Sequence, residues 1–376
     1  MIKSWSFKEE YKNLRKLVLK KIDKALKSGN IFFGNELNLF ENNFIKLNKL
    51  KFGAAVGSGT DALYISLMAL NIGKGDEVIT VSNTAVATVS AIKSTGAKIK
   101  YVDVGNDYLI DVNKIEESIS KKTKVIIPVH LYGQSCRMDK ICSLAKKYNL
   151  KIIEDCAQAQ GAKYKKKLVG TFGDLSCFSF YPTKILGGYG DGGFVGSKNR
   201  LLIEKVKRIK LYGIEKSNKK NKFFNKYYSN EHGINSRIDE IQCSILNIKL
   251  NKVKSYIKKR KKIADFYKKQ FNGSALIMPL ENKNSEHVFH LFVVYHKKRD
   301  LILRKLKNYN IHLKINYEYP IHLMKAYRDS SYKKSKHLLN TEKFSRGIFS
   351  LPIYPELKVK KIKKFAKILN KILRSI

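Results

Sequence analysis

Long apolar runs are missing from this sequence. No stretch of the 376 residues is apolar over the length of a membrane span or a signal-peptide core, and the opening MIKSWSFKEEYKNLRKLVLKKIDKALKSG is broken by charge throughout. The expectation is a cytoplasmic protein with no membrane partner. Cysteine is scarce and unpatterned: Cys136, Cys142, Cys156, Cys177 and Cys243 form no CxxC pair and no metal-type spacing, and an odd number argues against a disulfide framework. No metal is expected, and this usage suits a reducing compartment. Acidic residues are few, 31 against 75 lysines and arginines, which leaves a net charge of +44. The basic residues are scattered through every segment instead of forming one block with interleaved aromatics, which speaks against a nucleic-acid partner. Their milder consequence is a positive field that favours anionic substrates such as phosphates. There is no internal repeat, and the absence of a full Walker pattern sets aside an NTPase.

What is present is an alternation of short apolar runs and helical periodicities. The N-terminal segment places Tyr11, Leu14, Leu17, Val18, Ile22, Ala25 and Leu26 on one side of a helix that ends at Gly29, and a second helix is expected from Glu36 to Leu47. Strand-like runs follow at Ala54 to Val56, Glu77 to Val81, Ile99 to Val102, Val125 to Val129, Ile152 to Asp155, Leu175 to Phe180 and Gly192 to Gly196. Helix-like segments around Ala87 to Ser94, Val112 to Ser120 and Met138 to Tyr148 separate several of them. The pattern predicts an α/β fold with about seven strands in a mostly parallel sheet, whose ligands bind outside the carboxyl ends of the strands. The segment from Glu215 to Glu231 is polar and basic and reads as a mobile loop, and NSRIDEIQCSIL opens a helix capped by Asn235 or Ser236. From about Lys252 the composition changes, so residues 1–251 are expected as a large domain and 252–376 as a smaller α+β domain closed by the amphipathic helix VKKIKKFAKILNKIL.

Three places carry potential chemistry. Lys184 lies between two strand-like runs, behind Ser179 and Tyr181 and ahead of the glycine-rich GGYGDGG; a lysine held there by packed neighbours loses basicity and becomes a nucleophile toward a carbonyl. GSGT at Gly57 to Thr60 joins a strand to a helix N-terminus, where free N–H groups and the helix dipole favour an anion. Asp155, with Gln158 three residues on, and His130 in PVHLYGQ stand at strand ends. Each also has a plain reading: a surface lysine, a turn with a Thr N-cap, an aspartate capping a helix.

Taken together, GSGTDAL, NTAVATVSAIKSTGAKIKYVDV, VIIPVHLYGQ, EDCAQAQGA, GDLSCFSFYPTKILGGYGDGG and GINSRIDEIQ, in this order across most of the chain, resemble the sugar aminotransferases of the DegT/DnrJ/EryC1/StrS family. The resemblance implies the fold of aspartate aminotransferase, fold type I, and pyridoxal 5′-phosphate (PLP) as cofactor in a site shared between the subunits of a homodimer. Carried over by motif, Lys184 binds the cofactor's aldehyde and later shuttles a proton, Asp155 pairs with the pyridinium nitrogen, and Gln158 sits beside the ring hydroxyl. Backbone groups of Gly59, Thr60 and Asp61, with Ser179, hold the phosphate, and Asn235 reaches it from the neighbouring subunit. His130, Tyr181, Tyr317 and His322 are the expected substrate contacts. The implied reaction moves an amino group from L-glutamate to a nucleotide-linked keto sugar, and the TAVAT and HLYGQ stretches look most like the branch acting at C3 of dTDP-linked 3-keto-6-deoxyhexoses. Branches acting at C4 of UDP- or GDP-linked sugars are the alternative, and a non-catalytic basic binding protein is the reading from another class. The chain departs from many relatives at Ala85, where an aromatic usually covers the pyridine ring, and at Asn316 and Glu318.

Overall fold

The computed structural model describes residues 1–214, 228–328 and 338–376. In chain order it contains β1 (Ile2–Lys3), α1 (Lys8–Lys27), α2 (Asn35–Asn48), β2 (Phe52–Val56), α3 (Gly59–Ala69), β3 (Glu77–Val81), α4 (Val86–Ser94), β4 (Lys98–Val102), β5 (Thr123–Ile126), α5 (Met138–Lys147) and β6 (Lys151–Asp155). Then come β7 (Lys163–Tyr164), β8 (Lys167–Leu168), β9 (Leu175–Ser179), β10 (Gly193–Ser197), α6 (Arg200–Ile209), α7 (Glu240–Leu250) and α8 (Val253–Gln270). The rest is β11 (Ser285–Glu286), β12 (Phe292–Tyr295), α9 (Arg299–Lys307), β13 (Ile311–His312), α10 (Leu339–Ser345), β14 (Ile348–Leu351) and α11 (Val359–Arg374).

Seven of the strands form one sheet in the order β2-β10-β9-β6-β5-β3-β4, parallel except for β10, which runs antiparallel to both neighbours. Its inner strands are buried along most of their length because both faces are covered, as a mostly parallel sheet requires, while the edge strand β4 keeps Lys98 exposed. On one side α3 buries Ala62, Leu63, Ile65 and Leu67 against Val56, Ile153, Cys177 and Val195. On the other, Phe40 and Phe44 of α2 meet Phe178, Phe180 and Phe194 edge-on or tilted, with Phe44 and Phe178 centroids 5.1 Å apart. Burying a phenylalanine of this kind stabilises the fold by roughly 2–3 kcal/mol. The register brings the ends of β2 and β9 and the start of β10 to one edge, with Gly193 opposite both Val56 and Ser179.

Two local expectations change. The helix expected over Val112 to Ser120 is instead a pair of 3₁₀ turns, Val112–Lys114 and Glu116–Ser118. Val112 and Ile115 are its buried apolar residues, and their spacing of three matches the tighter helix. The cap of α7 is Asp239, which accepts the Gln242 N–H at 2.7 Å, rather than Asn235 or Ser236. Most of the stretch from Glu215 to Glu231, namely 215–227, lies outside the described residues.

In the C-terminal part β12 pairs antiparallel with β14, and Tyr267, Phe271, Phe292, Phe349 and Phe365 pack into its core. The terminal α11 turns Ile362, Phe365, Leu369 and Ile372 inward and leaves its lysines exposed. We propose the division between residues 251 and 252, ahead of α8, whose Val253 packs with Phe40 while Ile263 and Tyr267 pack in the second core. Two strand pairings among the described residues cross that division: β11 pairs antiparallel with β7, and β1 pairs in parallel with β13, Ile2 beside Ile311, so that its apolar side chain is buried in the C-terminal core. No helix among the described residues is long and apolar enough to cross a membrane.

Candidate active site

Helix α3 begins where β2 ends. Ser58 caps it, its hydroxyl accepting the Asp61 N–H at 3.0 Å, and the first helical bond runs from Ala62 N–H to Ser58 O at 3.0 Å. The N–H groups of Gly59 and Thr60 precede that bond and have no intrahelical acceptor. Glycine is required here by close approach, since a Cβ at Gly59 would sit 2.7 Å from Ser179 Cβ, and one at Gly193 would sit 2.2 Å from the Ser58 carbonyl oxygen. The helix start is thereby pressed onto the end of β9. Ser236 fastens the other side by accepting the Gly57 N–H at 2.8 Å and donating to the Asp61 carboxylate at 2.7 Å.

Lys184 follows β9 on a tight turn, its N–H bonded to Tyr181 O at 2.9 Å. The glycine stretch after it folds back, with Gly188 N–H on Phe180 O at 2.7 Å and Tyr189 N–H on Gln242 Oε1 at 3.0 Å. Burial lowers the Lys184 amine from 10.5 to about 8, with the Asp155 charge opposing the shift. Asp155, at the end of β6, is 4% exposed. Burial raises its carboxyl pKa, opposed by the Ala157 N–H at 3.1 Å on Oδ1, the Thr88 hydroxyl at 2.9 Å on Oδ2, and the Lys184 charge. Both hydrogen-bond donors are neutral.

These groups surround one cavity of about 210 Å³, lined among others by Gly59, Thr60, Gln158, Ser179, Tyr181 and Lys184, with Asp155 and Thr88 in its wall. Gln158 is fixed at both ends of its amide, accepting the Tyr132 N–H at 3.0 Å and donating to the Tyr317 hydroxyl at 2.8 Å. Tyr181 is exposed at the mouth. Ala85 lines the same cavity, so that position presents a methyl group and no ring.

Other expected residues lie elsewhere. His130 is fully buried beneath the sheet end, its Nδ1 accepting the Cys136 N–H at 3.1 Å and its Nε2 3.0 Å from Glu154, so it has no nitrogen left for a substrate. His322 is also buried, with Nδ1 2.7 Å from Ser82 Oγ and Nε2 3.4 Å from Glu342, and burial lowers its pKa against the pull of that carboxylate. Asp61 does not line the cavity, because its N–H and its carboxylate are both engaged in holding the loop. Asn235 is exposed on the segment after the undescribed stretch, bridged to Leu211, and does not line the cavity of its own chain. Thr84, Thr88, Asp191 and Ser236 were not among the expected site residues. The four-residue spacing of Thr84 and Thr88 across a helix start was the available signal, since it sets two hydroxyls on one face.

An amine made nucleophilic by burial, a buried carboxylate without a cationic hydrogen-bond donor, and a helix N-terminus in one cavity match what comparison reveals. The model of the DegT/DnrJ/EryC1/StrS aminotransferase family matches residues 12–370. The chain belongs to this family. It is 38% identical over 359 residues, 94% of each protein, to the dTDP-3-amino-3,4,6-trideoxy-alpha-D-glucose transaminase of Micromonospora megalomicea subsp. nigra. It is likewise 38% identical over 358 residues, 95% of each, to the dTDP-3-amino-3,6-dideoxy-alpha-D-galactopyranose transaminase of Aneurinibacillus thermoaerophilus. Similarity extends to proteins named for UDP- and GDP-linked sugars at 36% and 37% identity. Among solved structures, S. venezuelae DesV in complex with a ketimine intermediate superposes with a TM-score of 0.92 at 33% identity, covering 99% of this chain and 98% of that one. The protein is a PLP-dependent sugar-nucleotide aminotransferase with the α/β fold of those enzymes. The cavity fits that cofactor in its chemistry: an amine for an aldehyde, a carboxylate for a pyridinium, and free N–H groups for a phosphate.

Proposed function

We propose that this enzyme transfers an amino group from L-glutamate to C3 of a dTDP-linked 3-keto-6-deoxyhexose, giving a 3-amino-3,6-dideoxy sugar. The observation that carries the amino-transfer chemistry is Lys184, an amine with pKa lowered to about 8 that shares one cavity with Asp155. PLP, when bound, supplies an aldehyde that captures amines and a ring that accepts the electron pair left on a carbon losing its proton. Lys184 would hold that aldehyde in the resting enzyme. When free, its Nζ would take and return the proton at the substrate carbon that carries nitrogen, a task suited to an amine that is part free base near neutral pH. Asp155 would keep a proton on the ring nitrogen, Gln158 would orient the ring hydroxyl, and Gly59, Thr60 and Ser179 would hold the phosphate. Tyr181 and Tyr317 are the substrate contacts of this reading; Tyr181 lines the cavity, and Tyr317, which does not, accepts a bond from Gln158.

Asn235 completes the phosphate site from a second subunit in this reading, so the working unit is a homodimer in the cytoplasm. Support comes from exposed Phe32 and Phe33, with the Arg237 guanidinium 4.5 Å above the Phe32 ring and two residues from Asn235. That apolar surface adjoins the residue the second site needs. The net charge of +44 suits a diphosphate-bearing substrate. The names of the two dTDP-sugar relatives support position 3 and the dTDP carrier.

The deciding experiment is amination with glutamate of dTDP-3-keto-6-deoxyhexoses, UDP-4-keto-6-deoxy-N-acetylhexosamine and GDP-4-keto-6-deoxymannose in parallel. Preference for the 3-keto sugars is expected. Preference for either 4-keto sugar overturns the position of amination, and turnover of none overturns the substrate class.

A further inference from the structure

Behind Asp155 stands a chain of two hydroxyls. Thr88, in the first turn of α4, is fully buried and lies 2.9 Å from Asp155 Oδ2; Thr84, four residues earlier and also buried, lies 3.1 Å from Thr88 Oγ1. A hydroxyl has one proton to give, and an ionised carboxylate can only accept. Thr88 therefore donates to Asp155, and its oxygen must accept from Thr84. The order Thr84 to Thr88 to Asp155 follows from that count alone. Hydrogen bonds in series polarise one another, so the arrangement favours the ionised form of Asp155 over the protonated one. Such help is needed, because the carboxylate is 4% exposed and its other hydrogen bond comes from the single Ala157 N–H. Thr88 also fixes direction. With Oδ1 held by Ala157 and Oδ2 by Thr88, the carboxyl plane cannot rotate without breaking a bond.

We propose that Thr88, backed by Thr84, is a positioning residue that keeps the Asp155 carboxylate ionised and aimed at the cofactor's ring nitrogen. The inference rests on the role given to Asp155 above. A helical threonine commonly turns its hydroxyl back to a carbonyl of the preceding turn. Here the bond goes outward instead, and both threonines face the cavity.

The test is the binding of pyridoxamine 5′-phosphate, which needs no bond to Lys184, against its 1-deaza analogue, in which CH replaces the ring nitrogen. Wild-type protein should prefer the natural form by at least about tenfold, the scale of a charge-assisted hydrogen bond. If it has no such preference, the role of Asp155 fails before that of Thr88 is reached, and the proposal falls with it. Thr88→Val should lose about tenfold in affinity for the natural form and little for the deaza analogue, while Thr88→Ser restores wild-type affinity. Should Thr88→Val not fold, as judged by melting of the cofactor-free protein, Thr84→Val carries the test with about a threefold loss confined to the natural form. Equal losses for the two ligands would reduce Thr88 to a packing residue, and unchanged affinity for both would overturn the proposal.

Discussion

His130 and Glu154 face each other at 3.0 Å with neither side chain exposed, and the Glu154 carboxylate also accepts the N–H groups of Gly170, Phe172 and Gly173, each at 2.8 Å. Burial pushes the Glu154 carboxyl up, but the bond from His130 and those backbone donors outweigh it and hold the pKa below the ordinary 4.5. The sheet end that carries Asp155 rests on this knot.

Replacing Glu154 with glutamine should therefore cost on the order of 3 kcal/mol, because an amide nitrogen meets donors where an anion met them. The sign with pH follows from a lowered carboxyl pKa. The stabilisation is complete above pH 4.5 and is lost as pH falls through the still lower folded-state value. Urea unfolding at pH 7 and pH 4 checks this, and an unfolding midpoint equal to wild type at pH 7 would remove the knot from the account.

Lys184→Met should abolish turnover yet stabilise the cofactor-free protein near pH 7. A lysine whose folded pKa is about 8 against 10.5 is mostly protonated in both states near pH 7, and burying that charge costs at most about 3 kcal/mol. The cost fades between pH 8 and 10.5, so the advantage of methionine should shrink over that interval. Melting temperatures of the two cofactor-free proteins across pH decide it; a gap that does not narrow would contradict the assigned pKa.

Asp155→Asn should cut kcat by at least about a hundredfold while changing the sugar-nucleotide KM little, since the lost charge acts on the ring and not on the substrate. A rise in KM with kcat preserved would take Asp155 away from the ring nitrogen.

Mixing Lys184→Ala protein with Asn235→Asp protein, each inactive, should restore activity approaching one working site per hybrid dimer if Asn235 serves the partner's cavity. Subunit exchange confirmed by mass, with no activity regained, would confine each site to one chain.

That Lys184 and Asp155 share one cavity was legible in the sequence because both follow strand ends, and strand ends are marked by apolar runs. His130 stood at such an end too, yet its ring points into the protein; no periodicity reports that the Cys136 N–H and Glu154 would claim both nitrogens. Ser236 looked like a helix cap because capping residues resemble loop anchors in composition, and the Gly57 N–H it holds is 179 residues away in the chain. Thr88 was hidden for a related reason. A threonine near a helix start usually serves that helix, and only the bond it makes across to the end of β6 shows that this one serves Asp155. The sheet itself was readable, since both faces are covered and each strand keeps a short apolar run.

The pairing of Ile2 with Ile311 sets an order of assembly. During synthesis β1 emerges roughly 300 residues before the strand it pairs with, so the sheet around Lys184 can close while β1 still lacks a neighbour. Joining two segments so far apart is entropically costly and is compensated only when the second core condenses around Tyr267 and Phe292. The strand is thus a late latch: it ties the α1 end of the chain to the C-terminal core after both have formed, beside the β7–β11 pairing that also joins the two parts.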